Sequence, residues 1–378
     1  MATIPPTHRA IRRIRGTASV ETPLTLELTT EQTLPAGGLG PHDVLVKILA
    51  VSLNYRGSFS LLPYVAPFEA SIKDLPSSNA GMLRGLARYL GGQIQGGIAG
   101  SDASARVVAT GSGVTKFSVG DRVQPTFDLA NMDGTIAEGA HKALGGDVDG
   151  VLREFVVIDD RFLVGVPGYL TDIEAATLGC ASLTAFNALA QVQGENKTVL
   201  VQGTGGVAMF AAAFAKAKGW RVIITSGKDE KLEAVKGKFG VEGYNYKNKG
   251  QAEEVARLTG GKGVDFVVNN RGPGGVPEDV EVLARGGTVS MVGFMDGFDG
   301  DWKASVLLGL IWRVARIQGI AVGSKEDFEK QNKFLEEHDV DLSGLIDDKV
   351  FTLEQSQEAF DYLYAEKHVG KVIIRVTE

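Results

Sequence analysis

A glycine-rich hexapeptide is the pattern with the clearest chemistry in this chain. Residues 203–208 are Gly-Thr-Gly-Gly-Val-Ala, directly after a predicted strand at 198–202 and at the start of a predicted helix at 207–218. Gly203 would permit a tight turn, and Gly205 would let the backbone approach a pyrophosphate. A glycine-rich turn without a ligand is the alternative, but the position between strand and helix favours a dinucleotide site. The first N–H groups of a helix have no partner within the helix and can bind phosphates. The residues predicted to form the phosphate site are Gly203, Gly205, Gly206 and Val207.

The end of the next predicted strand bears on which nicotinamide cofactor is bound. A site for NAD places Asp or Glu about 20 residues after the glycine pattern, bonded to the ribose 2′-hydroxyl. Residues 224–228 are Ile-Thr-Ser-Gly-Lys, and no carboxylate appears before Asp229. Ser226, Lys228 and Lys231 could hold a 2′-phosphate through charge-assisted hydrogen bonds, although both lysines could simply be solvated charges. We therefore predict NADP(H) rather than NAD(H).

The predicted elements that position these residues follow two different patterns of secondary structure. Residues 17–60 and 98–165 alternate short apolar runs with turn residues, which is typical of a β-rich domain. From about residue 172 strands alternate with helices, which predicts a doubly wound parallel sheet and hence an α/β fold. A last strand at 371–376 is expected to return to the first domain. The predicted domains are 1–165 with 325–378, and 166–324.

One segment, residues 60–100, fits neither of these patterns. It holds three prolines, a short run with helical apolar spacing at 82–90, and five glycines from Gly91 onward. A loop of this length in a compact protein is commonly a lid or a binding loop, and a tolerated surface insertion is the alternative.

Composition and charge exclude several classes of protein. The chain has 378 residues, of which 44% are hydrophobic and 22% charged, as in ordinary globular proteins. The net charge of −7 argues against a nucleic-acid partner. The most apolar stretch, residues 306–312, is too short to span a bilayer, and residues 1–16 lack the apolar core of a secretory signal. We therefore expect a cytoplasmic protein with a small-molecule substrate and no membrane partner.

Short motifs along almost the whole chain resemble the medium-chain dehydrogenase/reductase superfamily, in its zinc-independent, quinone-oxidoreductase-like branch. The motifs are 51–56, Gly100-Ser101-Asp102, 111–114, 120–123, 175–178, 183–185, the glycine pattern at 203, 286–288, 292–294 and 370–372. The resemblance implies a GroES-like catalytic domain, a Rossmann domain, a cleft between them and a homodimer. It further implies cofactor roles for Thr184, Tyr246, Asn269, Asn270, Gly293, Phe294 and Lys371.

The same resemblance bears on whether the protein needs zinc. The zinc-dependent branch needs a metal ligand where this chain has Asn54 and a histidine where it has Ser101. Cys180, the only cysteine, stands at a ligand-like position, but one thiolate without suitable partners does not hold a catalytic zinc. The five histidines show no ligand spacing. We therefore predict no metal.

Without a metal, a carbonyl or enone substrate needs another group to stabilise or protonate the oxyanion. Tyr55 stands beside Asn54, on the segment that faces the nicotinamide in the related enzymes. Tyr64 follows ten residues after Asn54, near the proton-donating tyrosine of related enoyl reductases. Such a hydroxyl would protonate the enolate or alkoxide that hydride addition creates. Either ring could instead be only a wall of the pocket, and an ordered water or the cofactor ribose could supply the proton. The predicted catalytic residues are Tyr64, Tyr55 and Asn54.

The predicted function is hydride transfer between NADP(H) and an enone, quinone, ketone or alcohol. Two departures from the family pattern keep other hypotheses open. Gly57 stands where the branch has Asp, and Arg271 would bring a permanent positive charge near the nicotinamide. The alternatives are the same fold doing non-redox chemistry, such as isomerisation or cyclisation, and a non-catalytic NADPH-binding protein.

Overall fold

The chain forms a β-rich unit and an α/β unit. This computed structural model describes residues 4–14, 25–54, 96–135, 140–190, 194–297, 300–365 and 367–377. The β-rich unit comprises Met1–Cys180, Ser324–Phe334 and Asp347–Glu378, and the α/β unit comprises Ala181–Gly323 and Leu335–Ile346. Compared with the predicted domains, residues 166–180 lie in the first unit and residues 335–346 in the second.

The β-rich unit is built on one large antiparallel sheet and a separate antiparallel pair of strands. Its strands, in chain order, are β1 Thr7–Ile14, β2 Thr25–Gln32, β3 Asp43–Ser52, β4 Asp102–Thr110, β5 Arg122–Pro125, β6 Phe155–Asp159 and β7 Leu163–Gly165. β1 pairs with β2, while β3 pairs with both β4 and β6. The apolar run at 44–51 lies within β3, whose residues Val44, Ile48 and Val51 are fully buried.

The α/β unit contains a parallel sheet of six strands among the residues described. They are β8 Thr198–Gln202, β9 Arg221–Ser226, β10 Glu242–Asn245, β11 Val264–Asn269, β12 Leu283–Met291 and β13 Arg316–Gly319. Their spatial order is β10-β9-β8-β11-β12-β13, and every neighbouring pair is parallel. The strand order therefore reverses between β8 and β11, and ligands of such sheets bind at the carboxyl ends of the strands on either side of that point.

Two later strands complete the sheet of the β-rich unit. They are β14 Ile346–Thr352 and β15 Lys371–Arg375. β15 runs antiparallel to β3, with Ile373 opposite Ser52. The prediction that the last strand belongs to the first domain is therefore confirmed.

The helices agree closely with the sequence periodicity. They are α1 Asp172–Ala175, α2 Leu183–Ala188, α3 Gly206–Ala217, α4 Asp229–Phe239, α5 Gln251–Thr259, α6 Val276–Val282, α7 Leu308–Arg313, α8 Lys325–His338 and α9 Ser356–Tyr364. Thr171 is the N-cap of α1 and forms a capping box with Glu174. Residues 208–215 of α3 are all buried, since this alanine-rich helix is enclosed on every side. No helix in the described part of the chain is long and apolar enough to cross a membrane.

Candidate functional site

The glycine-rich loop leaves open space at the N-terminus of α3. Gly203 has a φ of +88°, which favours glycine, and its N–H donates to the carbonyl of Thr225 at 3.1 Å. A Cβ added at Gly203 or Gly205 would meet nothing within 4 Å, so both residues border open space. α3 begins at Gly206, and no described side chain caps its N-terminus. Open space beside free N–H groups at a helix N-terminus suits a phosphate ligand.

The end of β9 forms a tight turn. The hydroxyl of Ser226 is buried, accepts from the backbone N–H of Lys228 at 3.1 Å and donates to its carbonyl at 3.0 Å. Ser226 therefore shapes the turn, while Lys228 is exposed and Lys231 is half-buried on α4.

Two residues after β10 lie against this turn. A Cβ on Gly227 would stand 2.6 Å from the Tyr246 hydroxyl oxygen and 3.1 Å from Cε of Lys247. Tyr246 is 54% exposed. Lys247 was not among the predicted cofactor residues, because no strand was predicted at 242–245. Its place follows from the parallel pairing of β10 with β9, since the carboxyl ends of parallel strands meet at one edge of the sheet.

The residues after β11 form a second turn at the carboxyl edge of the sheet. Asn269 is fully buried, accepts from the Gly272 N–H at 2.7 Å and donates to the Gly272 carbonyl at 3.2 Å. Asn270 is half-buried and donates to the carbonyl of Gln202 at 2.8 Å, which joins this turn to the start of the glycine-rich loop. The Asn269 amide therefore shapes the turn, and Asn270 is the more accessible of the two.

Arg271 does not leave an unbalanced charge at this edge. Its guanidinium contacts Glu278 at 2.6 Å and Asp296 at 2.8 Å. Burial opposes its charge, but hydrogen bonds from the guanidinium to Asp296 and Glu278 outweigh that effect, so the pKa of Arg271 is raised. The expected positive charge near the nicotinamide is therefore balanced by two carboxylates.

Three further predicted cofactor residues lie in the α/β unit: Gly293 and Phe294 in the segment after β12, and Thr184 on α2. Gly293 and Phe294 follow β12, and a Cβ on Gly293 would stand 3.0 Å from the carbonyl oxygen of Asn270. The Met295 N–H donates to that same carbonyl at 2.9 Å. The segment after β12 therefore packs on the turn after β11. Thr184 is buried on α2.

A second polar group, in the β-rich unit, surrounds Asn54. Lys371 Nζ donates to the carbonyl of Leu53 and to Oδ1 of Asn54, both at 2.6 Å. Nδ2 of Asn54 donates to the Ser101 hydroxyl at 3.2 Å, and that hydroxyl donates to Asp102 at 2.7 Å. A continuous chain of hydrogen bonds therefore joins Lys371 to Asp102 and fixes the orientation of the Asn54 amide.

Both ends of this chain are buried charges. Asp102 is fully buried and Lys371 nearly so. Burial raises the pKa of Asp102 and lowers the pKa of Lys371, and the charge of each partly offsets the shift of the other. The other oxygen of Asp102 accepts from the backbone N–H of Cys180 at 3.1 Å. These shifts bring the two groups closer to exchanging a proton than free side chains are.

Asn54 and Ser101 stand at the two positions where the zinc-dependent branch needs metal ligands. Here the Asn54 amide donates a hydrogen bond to the Ser101 hydroxyl. Within the described ranges, no group of three or more His, Cys, Asp or Glu side chains is placed to hold a metal ion. Tyr55 and Tyr64 lie outside the described residues, as does the insertion except for residues 96–100.

Comparison with known proteins identifies the family. Residues 40–168 match the alcohol dehydrogenase GroES-like domain, and residues 206–337 match the zinc-binding dehydrogenase family. A zinc-type alcohol dehydrogenase-like protein of Schizosaccharomyces pombe is 34% identical over 346 residues, which are 89% of this chain and 92% of that protein. The chain therefore belongs to the medium-chain dehydrogenase/reductase superfamily, among its zinc-type alcohol dehydrogenase-like members. The predicted combination of a GroES-like β domain and a Rossmann-type parallel sheet is confirmed.

Two further relatives extend the comparison. The crystal structure of a putative alcohol dehydrogenase from Sinorhizobium meliloti superposes with a TM-score of 0.81 at 30% identity, covering 99% of this chain and 100% of that one. A crotonyl-CoA reductase of Streptomyces collinus is 25% identical over 371 residues, which are 90% of this chain and 79% of the reductase. The relatives are thus named for alcohol oxidation and for enoyl reduction.

Proposed function

We propose that this protein is a zinc-independent, NADP(H)-dependent oxidoreductase that transfers hydride to or from an enone, quinone, ketone or alcohol. The observation that carries the proposal is the open glycine-rich loop before α3, at the point where the strand order of the parallel sheet reverses. The family is one of oxidoreductases, and the relatives described above are named as alcohol dehydrogenase-like proteins and as a crotonyl-CoA reductase.

A bound nicotinamide dinucleotide would supply or accept the hydride. The chain's own residues would bind and orient. Gly205, Gly206 and Val207 would donate backbone N–H groups to the pyrophosphate, and Gly203, whose N–H donates to the Thr225 carbonyl, would shape the turn that lets the phosphates approach. Asn54, held at both ends of its amide, is suited to orient a substrate oxygen with its remaining N–H. Tyr64, with Tyr55 as the alternative, is proposed as the proton donor.

Zinc independence rests on Asn54 and Ser101, since an amide and a hydroxyl that bond to each other are poor ligands for zinc. Elemental analysis of the purified protein should find no stoichiometric zinc, and chelators should leave turnover unchanged. One tightly held zinc per chain, with activity lost on its removal, would contradict this part of the proposal.

The redox proposal is tested by incubating the protein with NADPH and a panel of enones and quinones. We expect substrate-dependent oxidation of NADPH. Formation of a product without consumption of NADPH would instead support isomerisation or cyclisation on the same fold. Binding of NADPH without any turnover would support a non-catalytic role.

Preference for NADP(H) is proposed from the exposed Lys228, with Lys247 close to the same turn. Lys228→Ala should weaken NADPH binding about tenfold and leave NADH nearly unchanged, because loss of a charged hydrogen bond costs ~1–2 kcal/mol. Isothermal titration with both cofactors measures this. Lys236→Ala, at the far end of α4, is the matched control and should change neither. Equal weakening of NADPH and NADH by Lys228→Ala would overturn the assignment.

We also propose a homodimer formed through the α/β unit. Among the strands that the structure describes, β13 lies at the edge of its sheet, and the nearby α7 segment exposes large apolar side chains, with Ile311 76% and Trp312 81% exposed. An unpaired strand edge beside an apolar patch fits a second copy of the same surface. Trp312→Arg should shift the mass measured by sedimentation equilibrium from two chains toward one. Val119→Arg, an exposed apolar residue of the other unit, should leave the mass unchanged. A wild-type monomer would refute the proposal.

A further inference from the structure

A buried carboxylate lies behind the point where the strand order of the parallel sheet reverses. Asp279, on α6, has no exposed surface. One of its oxygens accepts from Nε2 of Gln202 at 2.7 Å and from Nε2 of Gln251 at 2.9 Å. The other accepts from Nδ2 of Asn269 at 2.6 Å. A single side chain thus joins α6 to the last residue of β8, the last residue of β11 and the first residue of α5.

The residues held by Asp279 continue directly into the candidate site. Gln202 immediately precedes Gly203 of the glycine-rich loop. Asn269 closes the turn to Gly272, whose φ of +103° requires a glycine. Asn270 in that turn donates back to the carbonyl of Gln202 at 2.8 Å. The separation of the two loops at the carboxyl ends of β8 and β11 is therefore fixed by amides that bond to one carboxylate.

We propose that Asp279 is a positioning residue of the dinucleotide site, which holds the glycine-rich loop and the turn at 269–272 in the arrangement that binds cofactor. The inference rests on the proposed function, since it assigns a dinucleotide to these two loops. Asp279 itself touches neither cofactor nor substrate in this role, because it is enclosed by its amide partners.

The presence of a carboxylate at position 279 favours a functional role for this residue over a role in packing alone. Burial raises the pKa of Asp279 to about 6, in spite of three amide donors and the positive charge of Arg271. A buried acid with a raised pKa makes the fold less stable at neutral pH than an uncharged residue of similar size would. What the carboxylate provides is two oxygens that accept three hydrogen bonds, which no neutral side chain of this size can match.

The chain offers a matched control at the opposite ends of the same two strands. Asp265 of β11 accepts from the backbone N–H of Thr198, the first residue of β8, at 2.8 Å and from Lys197 at 3.1 Å. Asp265 and Asp279 therefore both join β8 to β11, one at the amino ends and one at the carboxyl ends. Because the Asp265 side chain is 25% exposed and Asp279 is fully buried, a purely structural role predicts changes in affinity that follow the loss of stability of each variant. A positioning role predicts a loss of affinity at Asp279 greater than its loss of stability explains.

The experiment compares Asp279→Ala with Asp265→Ala in the full chain. NADPH affinity is measured by titration, and amide hydrogen exchange of peptides covering 203–206 and 269–275 is measured on protein without cofactor. We expect Asp279→Ala to weaken NADPH about 10- to 100-fold, for the loss of two or more hydrogen bonds that order the loops, and to speed exchange in both peptides. Asp265→Ala should change the affinity less than twofold and leave exchange in both peptides unchanged.

If either alanine variant does not fold, the variants Asp279→Asn and Asp265→Asn test the same inference. Asp279→Asn keeps the size of the side chain but presents one acceptor oxygen in place of two. Because the Asn269 amide is fixed by Gly272, it cannot rotate to compensate. Asp279→Asn should weaken NADPH about fivefold, and Asp265→Asn less than twofold.

Equal effects of the substitutions at 279 and 265 on affinity and exchange would overturn the inference and leave Asp279 as a packing residue. If the wild-type chain binds neither NADPH nor NADH, the proposed function fails. The exchange measurement then still decides whether Asp279 orders the two loops, since it needs no cofactor.

Discussion

Gly205→Val should abolish dinucleotide binding while leaving the protein folded. Gly205 has φ −80° and ψ −178°, which any residue adopts, and its Cβ position borders open space. The valine side chain would occupy the volume through which a pyrophosphate must approach the N-terminus of α3. Loss of two charge-assisted hydrogen bonds costs roughly 3–6 kcal/mol, so we expect affinity for NADPH and NADH to fall about 10²–10⁴-fold.

Gly250→Val is the matched control for this experiment. Gly250 is also the N-cap of a helix, α5, with φ −70° and ψ 140°, and its Cβ position is equally open. Both substitutions should lower the melting temperature by a similar small amount, because valine is a poorer N-cap than glycine. Only Gly205→Val should affect titration with cofactor. Unchanged affinity in Gly205→Val would mean that the loop does not bind the pyrophosphate.

Tyr64→Phe should lower turnover by roughly 10²–10⁴-fold, the range typical of general acid catalysis, with cofactor affinity unchanged. Tyr64 lies outside the described residues, so the prediction rests on its spacing from Asn54 and on the family resemblance. The substitution removes the hydroxyl and keeps the ring. Single-turnover measurement of NADPH oxidation with the best substrate of the panel separates this loss from an effect on binding.

Tyr55→Phe is the control for Tyr64→Phe, since Tyr55 is the second candidate donor. A large loss in Tyr55→Phe with near-full activity in Tyr64→Phe would exchange the two assignments. Near-full activity in both variants would make the rings walls of the pocket and would indicate water or the cofactor ribose as the source of the proton.

Most elements of the α/β unit were predictable because they carry a local signal, whereas the short strands β10 and β13 and the helix α7 were not predicted. The strand at 198–202, the helix from 229 and the positive φ of Gly203 all follow from apolar runs and glycine spacing. The parallel order of the sheet followed from the alternation of strands and helices. The return of β15 to the first unit was predicted, although the strand lies far from β3 in the sequence.

What the sequence did not reveal depends on contacts between distant residues. Nothing near Asp279 in the sequence indicates that Gln202, Gln251 and Asn269 would all bond to it. The charge of Arg271 was predicted but its neutralisation was not, because Asp296 comes 25 positions later. Lys371 was predicted only to contact the cofactor. In the structure it donates hydrogen bonds to Leu53 and Asn54, which directly follow β3, the strand that β15 pairs with.

The pairing of β15 with β3 has a consequence for the order in which the chain folds during synthesis. All six strands of the α/β unit lie within residues 198–319, so that sheet can close while the carboxyl-terminal part of the chain is still being made. The sheet of the β-rich unit cannot, because Ser52 of β3 must wait for Ile373. Domains usually fold from the amino terminus as they emerge. Here the later unit is free to fold first, and the edge of β3 that β15 covers stays unpaired and open to aggregation until β15 has been synthesised.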